Sequence, residues 1–72
     1  MTAKDFCLHH GFTVISEEVD GRFLIHVRDA NRRIFPKGER RGKIRIRQER
    51  LEDHIKNAYQ RMMDMILDKI YK

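Results

Sequence analysis

Apolar residues change their spacing three times along this chain, and each change predicts an element. From about Gln48 to Ile70 they recur at intervals of three and four: Leu51, Ile55, Ala58, Tyr59, Met62, Ile66 and Ile70. That spacing marks one face of a helix, predicted over 48–71. Neither Gly nor Pro interrupts it. Glu49, Glu52 and Asp53 suit the positive end of its dipole, and Lys69 and Lys72 the negative end.

Upstream the period falls to two. Asp20-Gly21 separates two β-rich runs, and Asp-Gly favours a two-residue type I′ hairpin turn. That turn sets Val19 opposite Arg22, Ser16 opposite Ile25, Val14 opposite Val27 and Phe12 opposite Asp29. One face then gathers Phe12, Val14, Ser16, Phe23, Ile25 and Val27. The other gathers Thr13, Ile15, Glu17, Val19, Arg22, Leu24, His26 and Arg28. Before the hairpin, Thr2 can cap a short helix over 2–10 that stops at Gly11.

After the hairpin, Asp29-Ala30-Asn31 reads as a turn. Arg32-Arg33-Ile34-Phe35 reads as a short strand halted by Pro36, and 36–42 as a basic loop. Lys43-Ile44-Arg45-Ile46-Arg47 alternates strictly, which predicts a strand with both isoleucines inward and the cations outward. The expected fold is α+β: a short N-terminal helix, an antiparallel meander of three or four strands within 12–47, and a long C-terminal helix on one sheet face. The expected core is Phe12, Val14, Phe23, Ile25, Val27, Ile44, Ile46, Leu51, Ile55, Tyr59, Met62 and Ile66.

Seventy-two residues allow one domain, 1–72, with a small core. Chains this short usually need a disulfide, a metal or an oligomer. Cys7 is the only cysteine, which excludes an internal disulfide and fits a reducing compartment, cytoplasmic or nuclear. No apolar run reaches the ~18 residues of a membrane span. Oligomerisation is the remaining stabiliser. The lower helix supplies a surface for it, because Met62, Met63, Met65, Leu67, Ile70 and Tyr71 are too many apolar groups for one sheet to cover. They are the expected interface for a homodimer or a protein partner. The alternative is a fuller core, with the N-terminal helix covering them through Phe6 and Leu8.

Charge adds a second surface. Eleven of the sixteen Lys and Arg residues fall between Arg22 and Arg50, with only Asp29, Glu39 and Glu49 against them. This segment carries +8, residues 1–20 carry −3 and residues 51–72 carry 0, giving the chain its +5. A field concentrated on one surface attracts a polyanion. In a strand, Lys43, Arg45 and Arg47 would lie roughly 6–7 Å apart on one ridge. Arg28, Arg32, Arg33, Lys37, Arg40 and Arg41 complete the expected phosphate-binding set, and a β-ribbon so charged can enter a major groove. The same cations would equally protect an exposed sheet edge.

Catalytic and metal chemistry find little support. Cys7, His9 and His10 lack the second pair that a zinc site needs. Glu17, Glu18 and Asp20 crowd a hairpin tip, where no pocket is expected. The Gly38–Lys43 run lacks the spacing of a phosphate-cradling loop. No enzyme activity, cofactor or small-molecule substrate is expected. Gly21-Arg22-Phe23, Val27-Arg28-Asp29 and Arg33-Ile34-Phe35 together resemble the strand pattern of AP2-type and integrase-arm DNA-binding domains. Those domains read DNA with the outer face of a three-stranded sheet packed on one helix. The chain departs from them by inserting Lys43–Arg47 before its helix. The leading expectation is a nucleic-acid-binding module, DNA or RNA, using the outer sheet face and the basic loop. The alternative is a protein-interaction or inhibitory module, of the kind viruses and mobile elements carry, that docks a partner protein through its Met-rich helix or its basic face.

Overall fold

The computed structural model describes residues 1–71. Helix α1 spans Ala3–His9. Thr2 caps it as expected: the Asp5 amide donates to Thr2 Oγ1 at 3.1 Å, and the Asp5 carboxylate accepts from the Thr2 amide at 3.5 Å. Seven residues cannot hold a helix in water alone. Docking does it instead. Cys7 is fully buried, and its thiol donates to the Tyr59 carbonyl at 3.2 Å.

Strands β1 (Phe12–Val19) and β2 (Arg22–Asp29) form the expected hairpin. The register runs from Phe12↔Asp29 through Val14↔Val27 and Ser16↔Ile25 to Val19↔Arg22. Asp20 and Gly21 have φ of 52° and 76°, the left-handed pair that a type I′ turn demands. Phe12 and Val14 are buried on the face that meets the long helix. β1 lies at one edge of the sheet, in the order β1-β2-β3. At that edge the Val14 amide donates to the Tyr59 hydroxyl at 3.2 Å.

The run Arg32–Phe35 is a turn, where a strand was expected. Its amides have a stronger acceptor than a neighbouring strand would offer. Asp29 is 1 % exposed, and its Oδ2 accepts from the Ile34 and Phe35 amides, both at 2.8 Å. The chain curls around this carboxylate, with Arg32 at φ 52° and the Gly38 carbonyl accepting from the Asp29 amide at 2.7 Å. The third strand that the integrase-arm pattern needs at Arg33–Phe35 is therefore absent.

The third strand, β3, is only Glu39–Arg40, paired with Arg28 and Val27. The chain touches β2 again at Ile46, which exchanges two 2.8 Å backbone bonds with Phe23. Between these contacts five residues, 41–45, stand opposite three, 24–26. The segment bulges out, and its alternation loses its meaning. Ile46 is 5 % exposed and joins the core face, whereas Ile44 is 70 % exposed, contrary to its expected place in the core.

A 3-10 turn, Gln48–Arg50, leads into helix α2, Leu51–Lys69. The helix expected over 48–71 thus opens with a tighter turn and ends at Lys69; Lys72 lies outside the described residues. Tyr59, Met62 and Ile66 are its buried stripe. Ile55, Ala58, Met63, Met65 and Ile70 pack beside them. Fully burying side chains such as Phe12 and Ile66 contributes about 1.5–3 kcal/mol each. Among the described residues no helix is long and apolar enough to cross a membrane.

Candidate nucleic-acid interface

The bulge decides where the cations go. Lys43, Arg45 and Arg47 are exposed, but they stand on an irregular segment and form no ridge along a strand. Arg28 lies on β2 opposite Glu39. Arg32, Arg33 and Lys37 ring the turn around Asp29. Arg40 reaches the Phe35 ring at 5.9 Å. Arg41 pairs with Glu17 at 3.6 Å and Glu39 at 3.7 Å. All eleven cations of 22–50 are exposed, and among the described residues Arg41 is the only one of them in an ion pair.

The outer sheet face is not the free cationic surface expected. His26, at its centre, is buried. Its Nδ1 accepts from the Gly42 amide at 3.1 Å, and its Nε2 lies 3.3 Å from Glu17 Oε1. Accepting at Nδ1 leaves the ring proton on Nε2, where it can donate to Glu17. The ring thus fastens the bulged segment to the hairpin. Gly42 fits because a Cβ there would run into the Ile25 carbonyl oxygen.

Fastened in this way, the segment stops short of α2 and leaves a groove of about 500 Å³. Ile25, Val27, Ile46, Ala58, Met62 and Met65 supply its apolar surface. Arg40 and Lys43 line it from the segment, and Arg61, His54 and Asn57 from the helix. No acidic residue lines it among the described residues. The helix residues were missed in sequence. Their signal was a second stripe, His54, Asn57 and Arg61 at spacings of three and four, beside the apolar one.

The apolar helix surface divides. Met62, at 3 % exposure, belongs to the core, and Met63, Met65 and Ile70 pack against it. At the C-terminal end Tyr71 turns back onto α1: its hydroxyl is 3.1 Å from His10 Nε2 and its ring 6.4 Å from that of Phe6. Leu67, at 47 %, and Tyr71 are the exposed members of the six.

Among the described residues no group of three or more His, Cys, Asp or Glu side chains is placed to hold a metal. Burial pushes the Cys7 thiol up to about 11, which keeps it in the unreactive protonated form. Comparison with protein-family models, with curated proteins and with solved structures gave no match.

Proposed function

We propose that this chain is a small nucleic-acid-binding module that holds phosphate backbone with the cations of residues 28–47. The observation that carries the reading is the state of those cations. All are at the surface, and Arg41 is the only one of them with a carboxylate partner among the described residues. A solubilising surface would intersperse both signs. Here the field is left uncompensated, and a polyanion gains by releasing its counterions to it. Arginine outnumbers lysine in the set, which favours bidentate phosphate contacts. The working surface in this reading is the turn after β2, the bulged segment and the adjoining groove, in place of a flat sheet face.

The test is binding of mixed-sequence DNA and RNA oligonucleotides at two salt concentrations. Each phosphate contact contributes a slope of about −0.9 on duplex DNA and about −0.7 on single strands. Arg45→Glu with Arg47→Glu should weaken binding strongly. Affinity that does not respond to salt would sink the reading.

A further inference from the structure

Resting on that reading, we propose that the groove between residues 40–46 and α2 holds one unstacked base, so that the protein binds single strands in preference to duplex. The groove sorts its occupants by chemistry. Its apolar surface, from Ile25 and Val27 to Met62 and Met65, would strip a phosphate of water without replacing the lost hydrogen bonds. Arg40, Lys43 and Arg61 line the same groove with no acid among them. The fitting occupant has a flat, weakly polar body and an anion at its edge. Within a nucleic acid that describes a single nucleotide turned out of the stack. The volume of about 500 Å³ lies within the ~300–1,000 Å³ of ordinary ligand sites.

Asn57 gives this arrangement a polar reader. Its exposed side chain lines the groove, and its amide carries donor and acceptor together, the combination that base edges present. Met65, only partly buried, supplies polarisable, adaptable surface against which a base of either size can lie. A duplex must unpair and unstack before it can fill the groove, whereas a single strand already offers its bases.

The test compares about a twelve-nucleotide single strand, its duplex and the same strand made abasic, with 2-aminopurine at one position as reporter. The single strand should bind about tenfold tighter than either control, and 2-aminopurine emission should rise on binding. Asn57→Ala, at an exposed helix position, should weaken single-strand binding by about tenfold and narrow the gap to duplex. Equal affinity for all three ligands with unchanged emission would overturn the groove assignment and leave phosphate binding standing. Tighter binding to duplex would overturn it too. Failure to bind any of the three at low salt would overturn both readings.

Discussion

Asp29 is the side chain on which the turn after β2 is built. Burial would raise its carboxyl, but the amides of Phe35, Ile34, Arg33 and Asn31 together outweigh burial and hold it below the ordinary carboxylate value. Its Oδ1 is buried without a hydrogen-bond partner among the described residues, so Oδ2 carries the two direct bonds. Asp29→Ala leaves the Ile34 and Phe35 amides without an acceptor, and should cost about 1–3 kcal/mol in urea unfolding at neutral pH. The pH dependence has a definite sign. A depressed folded value means that the stabilisation is fully present above the unfolded value of about 3.9 and is lost as pH falls through the folded one. The gap in unfolding midpoint between wild type and Asp29→Ala should therefore shrink as pH falls from about 5 towards 2. A gap that widens on acidification would refute the role given to the carboxylate. Sequence marked Asp29 as a turn residue. It did not mark a buried one, because the partners that bury it lie five and six positions downstream, in a run that reads as a short strand halted by Pro36.

At the scale of elements, the hairpin and α2 were legible because each has a redundant code. Asp20-Gly21 fixes the register and the two faces confirm it, and α2 repeats its apolar spacing over five turns. The segment 43–47 had alternation alone. Alternation reads the same whether a strand pairs in register or slips by two residues; the Phe23–Ile46 pairing reveals the slip, and the His26–Gly42 contact lies within it. Gly42→Ala tests that contact. The new methyl meets the Ile25 carbonyl, so the variant should lose about 1–3 kcal/mol, with faster amide exchange confined to residues 40–46. Wild-type exchange in that segment would show that the bulge tolerates displacement. Tyr59 joins three elements at once: its carbonyl receives the Cys7 thiol of α1, and its hydroxyl receives the Val14 amide of β1. Tyr59→Phe keeps the ring and strands a buried amide, for a loss of about 1–3 kcal/mol in thermal or urea unfolding. A change under about 0.5 kcal/mol would mean that the edge of β1 finds water instead.

Viewed whole, the molecule is more open than its mass requires. It exposes 5505 Å², against about 4,700 Å² for a compact monomer of 8.7 kDa. The excess of about 800 Å² is comparable to one side of a standard interface. Of the apolar helix surface that sequence offered to a partner, Met62 lies in the core and Met63, Met65 and Ile70 pack against it. The candidate groove was illegible for the opposite reason: it lies between two segments whose spacing depends on where the bulge stops. Arg45→Ala with Arg47→Ala discriminates between a surface that serves solubility and one that binds. Both side chains are exposed and neither forms an ion pair among the described residues, so stability should move by less than about 0.5 kcal/mol. If both arginines touch phosphate, oligonucleotide affinity falls and the salt slope flattens by about two. Equal affinity and slope in variant and wild type would return these cations to the role of a protected edge. Lower affinity at an unchanged slope would mean that they act through the field at a distance, with the phosphate contacts made elsewhere on the same surface.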